Sequence, residues 1–242
     1  MQTKTMNPLS ILTAFVAALI LAASPSSSAE TAQAVHLILL SGQSNMANMN
    51  PDEVFTLEVK KHFGAGNVIV VKVAQKGQPI RRWFKGWRVT GDQNPREIGD
   101  IYERLIKEAK AALKGKSVKS VTLVWMQGER DAKEHLSDRY EEAFRGLLEQ
   151  IKSDLEVKEM NYIIGRLSDA GLGRTDWDKI RAIQQKLGEA GPHAAWVNTD
   201  DLNDNTSGGD AAPRKQDDLH YSKAGYDLLA KRYVEKIKAL VK

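Results

Sequence analysis

Five short apolar runs recur along the chain, and between them apolar residues return every three or four positions. The runs are Val35 to Leu40, Val68 to Val73, Ser120 to Met126, Tyr162 to Gly165 and Ala194 to Asn198. Runs of this length, closed by glycine or polar residues, read as buried strands. The intervening stripes have the period of a helix with one buried face. Ile98, Ile101, Tyr102, Leu105, Ile106, Ala109 and Leu113 form the first, and Gly115 closes it. Leu136, Tyr140, Phe144, Leu147 and Ile151 form the second. Trp177, Ile180, Ile183 and Leu187 form the third, ended by Gly188 or Gly191, and Tyr226, Leu229, Tyr233, Ile237 and Leu240 form the last. Strand alternating with helix predicts an α/β fold with a parallel sheet covered by helices on both faces. The stretch from Asp200 to Gln216, rich in Asp, Asn and Gly, predicts one long loop.

The strand ends carry more information than the strands. The first ends in Gly42-Gln43-Ser44-Asn45, and the second leads to Lys76-Gly77-Gln78. The third ends in Gln127-Gly128-Glu129, the fourth in Arg166-Leu167-Ser168-Asp169, and the fifth opens the loop that carries Asp217-Asp218-Leu219-His220. In a parallel sheet all these ends lie on one edge, where open α/β sheets bind their ligands. A serine, two glycine turns, a glutamine and an Asp/His pair therefore converge.

Composition narrows the chemistry. The 242 residues suffice for one core, the formal net charge is only +4, and charges of both signs alternate along the helical stripes, so solvated helix faces are expected and no nucleic-acid partner. There is no cysteine, which excludes disulfides, thiolate metal sites and a cysteine nucleophile. At the N-terminus, Lys4, the apolar run Ile11 to Ala23 and the small residues Ser27-Ser28-Ala29 have the layout of a secretory signal peptide, too short for an ordinary membrane span. Residues 1–29 are thus expected to be a signal peptide and 30–242 a single domain, secreted or periplasmic, with no stable membrane insertion after cleavage.

Serine is a weak nucleophile at neutral pH and needs an adjacent base. Of the five histidines, His36 lies early in the first run, His62 and His193 lie near turn glycines, and His135 opens a helical stripe. His220 differs: it precedes the last helix and follows Asp217 by three positions, a spacing at which side chains can converge. Asp217 can accept from Nδ1 and leave Nε2 for the serine. Asp218 is its rival, and a polar start to the last helix capped by Ser222 is the plain alternative. Candidate donors for an oxyanion are the backbone N–H of Ser44, Gly77 and the amide of Gln127. Asn45 and Glu129 stand as supporting residues, and Glu129 and Asp131 can act electrostatically or merely cap the helix that follows. The nucleophile elbow G-x-S-x-G is absent, since Met46 replaces the second glycine.

The blocks Gly42-Gln43-Ser44-Asn45-Met46, Gln127-Gly128-Glu129-Arg130-Asp131 and Asp217-Asp218-Leu219-His220-Tyr221 resemble those of the SGNH hydrolases. Gly77-Gln78-Pro79-Ile80-Arg81-Arg82-Trp83 is similar to the G-G-x-x-I-x-x-W block of the sialate O-acetylesterase-like branch, related to carbohydrate esterase family six. The resemblance implies a flavodoxin-like three-layer α/β/α sandwich with a five-stranded parallel sheet, and hydrolysis of O-acetyl esters on carbohydrates through an acetyl-enzyme. It implies Ser44 as nucleophile, His220 as base, Asp217 as its orienter, and an oxyanion hole of Ser44, Gly77 and Gln127, with no metal or organic cofactor. Two positions depart from the pattern. Lys76 stands in place of the first of two glycines, and Asp218 replaces the glycine of D-G-L-H, where a second carboxylate can raise the pKa of His220.

Trp83, Trp87 and Trp177 are candidates for stacking on a sugar ring, whereas Trp125 is expected in the core. Arg166 and Asp169 are expected to pair, and the acidic loop, lacking a calcium-loop pattern, is expected to be solvated. The competing functions are an SGNH lipase or thioesterase, and a carbohydrate-binding protein that keeps the fold without turnover.

Overall fold

The computed structural model describes residues 1–3, 32–88, 97–202 and 219–241. The chain divides into two units, residues 1–31 and 32–242, and the second carries the fold. The expected signal segment and Asp217 and Asp218 lie outside the described residues, as does most of the acidic loop.

All five predicted strands form: β1 Ala34–Gly42, β2 Val68–Ala74, β3 Ser117–Met126, β4 Asn161–Gly165 and β5 Ala194–Val197. They make one parallel sheet in the order β2-β1-β3-β4-β5. Every residue of β1 after Ala34 is buried, because helices cover both faces. Side chains alternate between them. Leu37, Leu39, Leu123 and Trp125 face the helices α3 Asp100–Ala112, α5 Ser137–Asp154 and α6 Thr175–Gly188. Ile38, Leu40, Val124 and Met126 face α2 Phe55–Phe63 and α7 Lys223–Leu240. This is the expected three-layer α/β/α sandwich. Two one-turn helices, α1 Ser44–Asn48 and α4 Glu129–Lys133, sit directly after β1 and β3.

From β1 the chain passes to β2 on one side and then to β3 on the other. The order reverses between β1 and β3, and the crevice beyond their C-terminal ends is where such sheets bind ligands. Ser44 and Gln127 follow these two strands. Gly42 makes the exit possible: its φ is +142°, and a Cβ there would lie 2.0 Å from the Met126 carbonyl oxygen. Past it the Gln43 N–H donates to that oxygen at 2.9 Å, so β1 is joined to β3 up to the turn.

Three of the tryptophans belong to the packing. Trp83 is fully buried and donates from Nε1 to Ser41 Oγ at 2.9 Å, which in turn donates to the Val73 carbonyl. Trp125 is in the core as expected and lies edge-on to Trp83. Trp87 is buried beneath the Arg139 guanidinium. A sugar therefore cannot stack on Trp83 or Trp87 in this arrangement, because the bulk of each ring is already covered by protein.

Candidate active site

Ser44 is the first residue of α1, a position whose N–H has no partner within its own helix. Its residue is 6% exposed and so nearly covered by protein. The five-residue helix could not stand alone, and it is held at both ends. Met46 and Met49 bury into the core. At its far end the Lys72 ammonium, half-buried on the edge strand β2, donates to the carbonyls of Ala47 at 3.0 Å and Met49 at 2.6 Å. Burial holds the Lys72 pKa below its ordinary value.

The Gly77 turn follows the end of β2. Gly77 is exposed with φ +65°, the left-handed region that side chains rarely adopt, and open space surrounds it. Gln127 fixes the backbone beside it: its Nε2 donates to the Gln78 carbonyl at 3.0 Å, to Gln43 Oε1 at 3.4 Å, and to Asp131. The structure thus gives Gln127 a different set of partners from the one expected of an oxyanion donor. The side chain is fully buried and its two amide protons meet three acceptors of the protein. Asp131 completes the strut, accepting the Ile80 N–H on both oxygens at 3.0 and 3.2 Å. Desolvation pushes Asp131 up to about 7. Beneath it, Tyr140 Oη and Gln184 Nε2 donate to the Gln127 carbonyl at 2.6 and 2.7 Å.

Glu129 and Asn45 form the other wall. Asn45 Nδ2 donates to Glu129 Oε1 at 3.1 Å and to the carbonyl of Leu219, the residue before His220, at 3.0 Å. Glu129 is 7% exposed, and its Oε2 has no hydrogen-bond partner among the described residues. Burial pushes its pKa up to about 7, against the lowering effect of Asn45 and of the backbone N–H groups at the start of α4. Neither Glu129 nor Asp131 is a simple helix cap: each ties the end of β3 to a different loop.

His220 is exposed, two residues before Ser222, whose hydroxyl accepts the Gly225 N–H at 3.1 Å and caps α7 as the sequence suggests. The chain path brings His220 to the same sheet edge as Ser44, joined through Leu219 and Asn45, but no hydrogen bond links the two side chains among the described residues. The other histidines lie elsewhere. His36 bonds Ser120 at the opposite end of β1, His193 bonds Asn161 before β5, His62 ends α2, and His135 bonds Asp176.

A cleft of about 720 Å³ opens between α4 and α6, lined by Glu129, Lys133, His135, Arg174, Trp177 and Leu219 among others. Trp177, the third stacking candidate, borders it but is 5% exposed, as covered as Trp87, with Nε1 donating to the Ser168 carbonyl at 2.8 Å. Arg166 pairs with Asp200 at 2.7 Å and lies over Trp196, so it braces the start of the acidic loop. Among the described residues, no three His, Asp or Glu side chains are grouped as a metal site requires.

A family model described as carbohydrate esterase, sialic acid-specific acetylesterase, matches residues 47–239. No curated protein matches the sequence. Among solved structures, a protein from Arabidopsis thaliana has a TM-score of 0.61 at 20% identity, over 84% of this chain and 98% of its own. NanS has a TM-score of 0.60 at 12% identity, over 86% and 98% respectively. A carbohydrate acetylesterase from Xanthomonas citri has a TM-score of 0.60 at 17% identity, with 84% of this chain covering 56% of that one. At these identities the likeness establishes the fold.

Proposed function

Because the chain belongs to the carbohydrate esterase family of sialic acid-specific acetylesterases, we propose that it is a serine esterase that removes O-acetyl groups from sugars. Ser44 Oγ attacks the acetyl carbonyl carbon while His220 Nε2 takes its proton. The backbone N–H groups of Ser44 and Gly77 receive the negative charge that develops on the carbonyl oxygen. Gln127 serves the same hole from behind, by holding the Gln78 carbonyl and so the Gly77 turn. Collapse of the tetrahedral intermediate releases the sugar hydroxyl, which takes its proton from His220. Water, activated by the same imidazole, then frees acetate from Ser44. Asp217 orients His220 through Nδ1, and the scheme uses no metal or organic cofactor.

The observation that carries this reading is the strand order. It places the turn with Ser44 and the segment Gln127-Gly128-Glu129 at the β1/β3 crevice, and Asn45 joins both to the residue before His220. The cleft beside them supports a sugar as the alcohol. Trp177 lines it but is only 5% exposed, and Lys133 and Arg174 bring two exposed cations that form no ion pair among the described residues. The acids there are engaged: Asp176 accepts from His135 and Ser137, and Glu129 holds Asn45. This balance supports an acetylated sugar that carries a carboxylate.

Acetate release tests the reading. Acetylated sialic acid, acetylated xylan, and acetyl and octanoyl esters of p-nitrophenol are compared. Turnover of acetyl over octanoyl esters, with acetate from the acidic sugar, is expected. Preference for octanoyl would make the chain a lipase, and sugar binding without acetate release would make it a binding protein. In the same reading residues 1–29 are a signal peptide and 30–242 the esterase domain, which N-terminal sequencing of exported protein checks.

A further inference from the structure

Asn45 is 1% exposed and its side chain meets three other parts of the fold. Nδ2 donates to Glu129 Oε1 after β3 and to the Leu219 carbonyl beside His220, while Oδ1 accepts from Tyr226 Oη on α7 at 3.0 Å. Tyr226 Oη also accepts from Asn48 Nδ2 at 3.1 Å, so the phenol proton is directed at Asn45. The amide is oriented by this chemistry, since the reverse placement would set its oxygen against two acceptors and its N–H groups against a donor. Among the described residues, the bond from Asn45 is the one hydrogen bond from the β1/β3 edge to Leu219 or His220. His220 itself is exposed and makes no hydrogen bond of its own to that edge among the described residues.

We infer that Asn45 is a positioning residue for His220, setting where the base stands relative to the adjacent Ser44 by gripping the Leu219 carbonyl. The inference rests on the reading of His220 as the base. The nucleophile and the anchor of its base are then the first two residues of α1. Glu129 and Tyr226 act behind Asn45 by holding its amide in the gripping orientation.

The test is a double-mutant cycle between Asn45→Ala and His220→Ala, read as turnover of an activated acetyl ester. Asn45→Ala alone is expected to lower kcat by about 10- to 100-fold, the scale of a misplaced catalytic group, with KM within about twofold. In the His220→Ala background the same substitution is expected to change residual turnover by less than about twofold, because the base it positions is gone. An equal loss in both backgrounds would overturn the inference and leave Asn45 a structural residue. If Asn45→Ala does not fold, Tyr226→Phe is put through the same cycle with the same two outcomes. Full activity of His220→Ala itself would refute the base assignment, a result distinct from additivity.

Discussion

Replacing Glu129 by glutamine is expected to flatten the dependence of stability on pH. Glu129 is 7% exposed, and Oε2 has no partner among the described residues. Its pKa is raised from 4.5 to about 7, chiefly by desolvation. An acid whose folded pKa is raised holds its proton longer in the folded state, so the folded state binds more protons than the unfolded chain between the two values. Stability is therefore full below pH 4.5 and falls as pH rises toward and through 7. At 1.36 kcal/mol per unit the whole loss is about 3 kcal/mol, of which about 2–3 kcal/mol falls between about pH 5 and pH 8. Glutamine has no proton to lose. It keeps an acceptor for Asn45 but places an amide N–H where Oε2 had no partner, which costs about 1–3 kcal/mol at every pH. The slope isolates the carboxylate. Urea unfolding at about pH 5 and about pH 8 is the assay, with constant m-values as the check on two-state behaviour. Asp131 is raised in the same direction and remains in both proteins, so the variant keeps that part of the slope. Equal slopes in the two proteins would refute the claim that Glu129 is buried and protonated up to near neutrality.

Gly42→Ala forces a side chain into the Met126 carbonyl at a positive φ; a loss of more than about 3 kcal/mol in stability is expected by urea unfolding. Lys72→Met leaves the carbonyls of Ala47 and Met49 without their charged donor, and a loss of about 1–2 kcal/mol is expected in the same assay. Arg174→Ala removes one of the two cations of the cleft that form no ion pair among the described residues. It is expected to raise KM about tenfold for an acetylated sugar carrying a carboxylate and to leave KM for p-nitrophenyl acetate within about twofold, as steady-state kinetics would read.

The strands were legible because each carries a run rich in apolar residues, buried on both faces in β1, β4 and the second half of β3 and half-buried in the edge strands β2 and β5; the structure extends four of them by three residues at most, as in β3, which starts at Ser117, and ends β5 one residue earlier, at Val197. The four long helices announced themselves through repeated apolar positions. α2 did not: it buries only Phe55 and Val59 and exposes Leu57, so its stripe is one turn deep. α1 and α4 are shorter than two turns and show no period. At the candidate site, single blocks marked Ser44, Gly77, Gln127 and His220, because a glycine or a polar residue at a strand end is visible locally. Their contacts were not visible. That Gln127 holds Gln78, that Asp131 takes the Ile80 N–H and that Asn45 reaches Leu219 depends on pairings across 49, 51 and 174 positions. The tryptophans illustrate the same limit. Trp83 and Trp177 look alike in sequence, yet one lies behind β1 and the other beside the cleft. The expected pairing of Arg166 with Asp169 gave way to Asp200, which lies beyond the adjacent strand.

The central claim is that Ser44 carries the acetyl group. Purified Ser44→Ala, folded as judged by circular dichroism, is assayed for acetate release from an acetylated sugar and from p-nitrophenyl acetate. A loss of at least about 10³-fold in kcat is predicted on both, because the remaining groups can polarise the ester but have no oxygen to accept the acetyl group. Turnover within tenfold of the unsubstituted protein would contradict the account.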